Sequence, residues 1–138
     1  MSTRKHRSFR FDQSTLDRLE QRARVLGMTQ TELVERYVDE GLRQEDHPHI
    51  VFVDEAAGRR ARVGGTGLDV WQVVLTVRDN EGSVAAAADY LDVPERYVMN
   101  AMRYYADYPD EVDFWIDETY RLFDEHGRQM KRVADALA

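Results

Sequence analysis

Ser8-Phe9-Arg10-Phe11-Asp12, then Leu16, Leu19 and Ala23 as far as Gly27, then Met28-Thr29-Gln30-Thr31-Glu32-Leu33, is the stretch on which the fold turns. Phe9 and Phe11 alternate with polar Ser8, Arg10 and Asp12, so an extended backbone gives one aromatic face and one polar face. A strand of about five residues is predicted here. From Gln13 the apolar spacing changes to a helical stripe, Leu16, Leu19, Ala23 and Leu26, and Gly27 stands where a helix end takes a left-handed residue. Helix one should therefore end near Leu26. Thr29, three residues before Glu32, has the spacing of a capping box and predicts a second helix at once. Its face, Leu33, Val34, Tyr37, Val38, Gly41 and Leu42, dissolves in Arg43-Gln44-Glu45-Asp46-His47-Pro48, which reads as a linker.

A strand and two helices in so short a segment cannot cover their own aromatic face, because small units bury too little surface per residue. Dimerisation is the expected remedy. Two copies pairing their strands antiparallel would turn Phe9 and Phe11 onto the helices. His6, Ser8 and Arg10 would then project outward on a ribbon that fits the DNA major groove. Arg10 offers two donors suited to guanine, and Ser8 bonds either way. The competing reading is a basic, solvated tail before a helical hairpin, with Arg10 in a surface ion pair. Residues 4 to 43 resemble the ribbon-helix-helix DNA-binding fold in strand, helix pattern, glycine and capping box. That resemblance implies an obligate homodimer in which His6, Ser8 and Arg10 read base edges while Thr29 and Gln30 at the start of helix two hold a phosphate. Arg7 departs from the pattern, on the side where an apolar residue is commoner.

Charge divides the chain in the same place. Residues 1 to 43 hold nine Lys/Arg against seven Asp/Glu, whereas 44 to 138 hold ten against nineteen, a balance of −9. A basic arm can release counterions from a polyanion that the acidic remainder repels. Two domains follow, 1–46 for DNA binding and dimerisation and 47–138 as a second module.

In the second module Ile50-Val51-Phe52-Val53 and Arg60-Ala61-Arg62-Val63 flank a turn at Gly58 and predict a hairpin, closed off by Gly64-Gly65-Thr66-Gly67. Val70, Trp71, Val74 and Val77 share a helical face. Gly82-Ser83 starts an alanine-rich helix reaching Leu91, a further helix runs from Glu95 to about Tyr108, and Pro109 opens another. Gly127 is expected to set apart a last short helix. The fold class is mostly α: a ribbon-helix-helix module followed by a β-hairpin plus helix-turn-helix, winged-helix-like domain.

Residues 47 to 113 resemble the domain-of-unknown-function family 433, most specifically in the Gly-Thr-Gly segment and in Tyr104-Tyr105 through Glu111-Val112-Asp113. The resemblance implies the antitoxin half of a type II toxin-antitoxin pair, VapB-like, whose toxin is a PIN-like ribonuclease. It also implies a C-terminal segment that wraps the toxin. Trp115, Ile116, Tyr120 and Phe123 on a wide apolar stripe, with Arg128 and Arg132, are the expected toxin contacts. The alternative is that the aromatics close the chain's own core.

Arg96, Asn100 and Arg103, spaced four and three apart, line one face of the would-be recognition helix, either as a second DNA contact or as a solvated face. Arg59, Arg60 and Arg62 in the hairpin are open between a phosphate-touching wing and a protein contact. Trp71, Tyr104, Tyr105 and Tyr108 read as packing residues.

The 138 residues carry 33% charged and 43% hydrophobic side chains, a folded composition that leaves no room for separate cofactor and substrate domains. No apolar run approaches the ~20 residues of a membrane span, and Arg4-Lys5-His6-Arg7 leads into no signal-peptide core, so a cytoplasmic location is expected. Without cysteine there are no disulfides or thiolate metal sites. His47-Pro48-His49 lacks accompanying ligands, and Asp110, Glu111 and Asp113 fit helix N-terminal charge better than a metal centre. No catalytic residue, cofactor or metal is expected. The expected function is an antitoxin that neutralises a PIN-like ribonuclease and regulates its own transcription by binding operator DNA. The runner-up is a stand-alone ribbon-helix-helix transcriptional regulator, and a nuclease or metal-dependent enzyme using Asp110, Glu111 and Asp113 stands behind it.

Overall fold

The computed structural model describes residues 3–138. The chain forms two compact units, one up to Arg43 and one from Gln44 to Ala138, mostly helical and with a single two-stranded antiparallel sheet among the described residues.

In the first unit, helices α1 (Gln13–Leu26) and α2 (Gln30–Asp46) follow the predicted boundaries at their start and turn. Gly27 closes α1 at φ +66°, where an L side chain is strained, and its amide and that of Met28 bond back to the last turn. Thr29 Oγ1 accepts from the Glu32 amide at 3.1 Å, the cap expected from their spacing. Residues 3 to 12 contain no helix or strand. The predicted strand at Ser8–Asp12 is therefore not formed by one chain. A strand's amides and carbonyls need a neighbouring strand, and the described residues of the first unit contain no other extended segment to pair with.

The predicted linker is also corrected. α2 runs on to Asp46, and His47 is buried in the second unit, where Nε2 donates to Asp107 Oδ2 at 2.7 Å and the ring meets Tyr104 and Tyr108 edge-on. Polar residues after Leu42 ended the apolar stripe without ending the helix, because exposed charged side chains are good helix formers.

The second unit opens with hairpin β1 (Ile50–Glu55) and β2 (Gly58–Val63), in register from Ile50↔Val63 to Glu55↔Gly58. Four helices follow: α3 (Val70–Asp79), α4 (Val84–Leu91), α5 (Glu95–Asp107) and α6 (Pro109–Leu137). Ser83 caps α4 by accepting from the Ala86 amide at 3.0 Å, and Pro109 begins α6 with Asp110 and Glu111 in its first turn. One core joins the hairpin to all four helices through Ile50, Val63, Val74, Ala87, Val98 and Ile116.

Asp69 organises the entry to that core. It is 5% exposed, accepts from Arg62 Nε at 3.0 Å and Trp71 Nε1 at 3.1 Å, and forms a reciprocal capping box with Gln72 on α3. Thr66 supports it, donating to the Val63 carbonyl at 2.8 Å and accepting from the Leu68 amide at 3.1 Å. The Gly-Thr-Gly segment is thus a structural turn that seats a buried carboxylate between two arginines.

The short terminal helix expected after Gly127 does not exist as a separate element. α6 continues through Gly127 as one helix of 29 residues. A glycine in an exposed helix interior costs only about 1 kcal/mol, less than the Arg121 pairs with Glu118 and Glu125 and the neighbouring helix formers can offset. No helix among the described residues is long and apolar enough to cross a membrane.

Candidate nucleic-acid interface and partner surface

Among the described residues of the first unit, only Ala23 and Leu33 are buried. Phe9 is 71% exposed, Phe11 48% and Val38 54%, although all three are apolar and lie in one small unit. α1 and α2 enclose an open trough of about 620 Å³ lined by Phe11, Leu19, Val25, Val34, Tyr37 and Val38, among others. His6, Ser8 and Arg10 are exposed, as are Thr29 and Gln30 at the head of α2. His6 Nε2 and Ser8 Oγ lie 3.1 Å apart, and Arg4 pairs with Glu35. Arg10 has no carboxylate partner among the described residues.

In the second unit α5 carries Arg96, Asn100 and Arg103 on its outer face. Arg96 stacks over Tyr97, its guanidinium carbon 4.8 Å from the ring centroid. Asn100 and Arg103 line a notch of about 170 Å³ together with Asp46, Pro48 and His49, so the structure sets His49 beside two residues that the sequence had left apart from it. No sequence signal singled out that neighbourhood, because His49 and Arg103 are distant in the chain.

The acidic cluster at the start of α6 is tied into the fold. Tyr104 donates its hydroxyl to Glu111, while Asp113 accepts from Arg78 Nη2 at 2.9 Å and from the Tyr105 hydroxyl at 2.8 Å. The Asp113 carboxylate holds the Arg78 guanidinium above its ordinary pKa. Burial, reinforced by the bond to Asp113, pushes the Tyr105 phenol up. No group of three or more His, Asp or Glu among the described residues is arranged to hold a metal ion. The hairpin arginines are likewise engaged. Arg59 pairs with Asp54, Arg60 with Asp69, and Arg62 with both Glu55 and Asp69.

The stripe assigned to a partner divides in two along α6. Ile116 is 2% exposed in the unit's own core, and Trp115 is half-buried against the hairpin, with the Arg60 guanidinium 4.8 Å over its ring. Ile116 is enclosed by the core, and Trp115 keeps only part of its ring accessible. After Ile116 no residue is buried. Tyr120 at 53% and Phe123 at 75% lead a row that continues through Met130, Val133 and Leu137, and Arg128 and Arg132 are exposed beside it. At 1.5 Å per residue this free part of α6 is about 30 Å long.

Comparison of the chain with protein-family models, with curated proteins and with solved structures finds no match in any of the three.

Proposed function

We propose that this chain is a homodimeric, operator-binding antitoxin whose first unit binds DNA and whose distal α6 holds a protein partner. The observation that carries the reading is the first unit's uncovered interior: two buried residues among those described, a trough of about 620 Å³ lined in part by Phe11, and an exposed Phe9. Soluble units of this size do not persist with such a surface open to water. A second copy offers the matching surface. Antiparallel pairing of Ser8–Asp12 across the two copies satisfies the backbone groups that one chain leaves unpaired and brings Phe9 and Phe11 onto the troughs. His6, Ser8 and Arg10 then stand on the outer face of a ribbon-helix-helix dimer, with Thr29 and Gln30 at the phosphate backbone.

The free part of α6 supports the antitoxin reading over a regulator that works alone. A row from Tyr120 to Leu137 lies outside the second unit's own core, and an amphipathic helix laid in a partner's groove buries such a row. On this reading the partner is a PIN-like ribonuclease, and Tyr120, Phe123, Arg128 and Arg132 are its contacts.

Sedimentation of the full chain and of Val38→Asp tests the dimer. Wild type is expected as a dimer at micromolar concentration and the variant, which places a charge in the trough, as a monomer that no longer binds DNA from upstream of its own coding frame. A monomeric wild type overturns the reading.

A further inference from the structure

Between Gln44 and Glu118 the second unit has six arginines and no lysine. Four of them, Arg59, Arg60, Arg62 and Arg78, pair with carboxylates. The other two, Arg96 and Arg103, have no carboxylate partner among the described residues, and both lie on the outer face of α5. The unit's other bases without a carboxylate partner among the described residues, Arg128, Lys131 and Arg132, all stand on the exposed distal part of α6, so within the packed part of the unit Arg96 and Arg103 are the two arginines open to an anion from outside. Asn100 lies between them, spaced four residues from one and three from the other, so the three share one face. They stand on the second helix of a pair, α4 and α5, joined by the tight turn at Asp92, whose left-handed φ of 57° closes α4.

From this we infer that the α5 face is a second DNA contact of the molecule, in which Arg96 and Arg103 hold backbone phosphates of a duplex and Asn100 and His49 complete the notch beside Arg103. The inference rests on the DNA-binding reading of the first unit and extends the bound surface to the second.

The unit's net acidity argues less strongly against this than its balance of −9 suggests. Asp54, Glu55, Asp69 and Asp113 are neutralised locally by arginine, and Asp107 bonds to His47. Unpaired charges farther away than about 8 Å are largely screened at physiological salt. Asp46 is the one carboxylate lining the notch, and it sets the strength of the contact by opposing it. A phosphate oxygen offers Arg103 the charge-assisted partner that the fold withholds.

The test is the salt dependence of binding to duplex DNA from immediately upstream of the chain's own coding frame, for the full-length protein. Each phosphate contact adds about 0.9 to the slope of log affinity against log salt, so Arg96→Ala/Arg103→Ala should lower the slope by about 1.8 per protomer. Asp46→Asn should raise affinity, and because the residue is exposed this second variant does not depend on the first one's folding. Arg10→Ala separates the two readings. Loss of sequence preference in Arg10→Ala with an unchanged slope in the double variant overturns the α5 contact and leaves the ribbon standing. Wild type that fails to bind the duplex overturns both. If the double variant keeps its slope but no longer captures the product of the adjacent gene, the face serves a protein and the inference is wrong.

Discussion

A Cβ placed on Gly58 would stand 3.0 Å from Cη2 of Trp115, tighter than nine in ten real Cβ contacts. The hairpin and the first part of α6 are thereby locked edge to ring, with Arg60 stacked on the same indole. Gly58 also has φ +139°, open to glycine and strained for any other residue.

Gly58→Ala therefore meets a conformational and a steric penalty together. A loss of about 2 kcal/mol is expected, a fall in melting temperature of roughly 10 °C for a unit of this size. Trp115→Ala should destabilise the free protein by a comparable amount, because a half-buried indole forfeits part of the packing a fully buried one would lose. Calorimetry of the chain without any partner measures both. An unchanged melt for Trp115→Ala would return that residue to the partner surface.

The distal half of α6 should behave in the opposite way. Phe123→Ala and Tyr120→Ala are expected to leave the melting temperature within about 1 °C of wild type, since exposed substitutions away from such features shift stability little. Each should weaken capture of the co-expressed product of the adjacent gene, by about 2 kcal/mol if the side chain sits at the centre of the interface. Gly127→Ala meets no atom within 4 Å and should add roughly 1 kcal/mol to helix stability, read as slower amide exchange around residue 127. Rapid exchange that persists in the variant would show that the helix is not limited by its glycine.

Alkaline pH should probe the Arg78–Tyr105–Asp113 group. The Tyr105 phenol is raised above its ordinary value, so the folded state keeps a proton that the unfolded chain releases. Its contribution is present in full below about pH 10 and is lost as the pH rises through the folded value, because stability falls with pH wherever the native state binds more protons. Denaturation midpoints of wild type should drop faster above pH 10 than those of Tyr105→Phe. Parallel curves would remove the phenol from the account.

Helix starts and stops were legible wherever a local backbone requirement marked them. Gly27 with its left-handed φ, Ser83 as a cap and Pro109 at a first turn each stand where the spacing puts them. Features set by distant partners were not. His47 read as linker because the aspartate that holds it lies sixty residues on, and Ile116 read as surface because one apolar stripe served the core at one end and water at the other. The alternation at Phe9 and Phe11 was plain, but a strand is a relation between two backbones, and one chain supplies half of it. Arg10, Arg96, Arg103 and Phe123 were visible as residue types at a helical or extended spacing. That Arg96 and Arg103 are left without acids, while the other four arginines between Gln44 and Glu118 are paired, required the positions of the carboxylates around them.

With two buried residues among those described, a first unit completed by a second copy would also make the protein a gauge of its own abundance. If that unit is completed only by a second copy, each tenfold dilution removes about 1.4 kcal/mol from its assembly. Newly made chains at low level would stay open, with Phe9, Phe11 and the trough accessible to proteases that cut unfolded segments. The survival of the first unit would then rise more steeply than the number of chains. Synthesis would translate into occupancy with a threshold, and a brief halt in translation would clear the first unit before the more deeply packed second one.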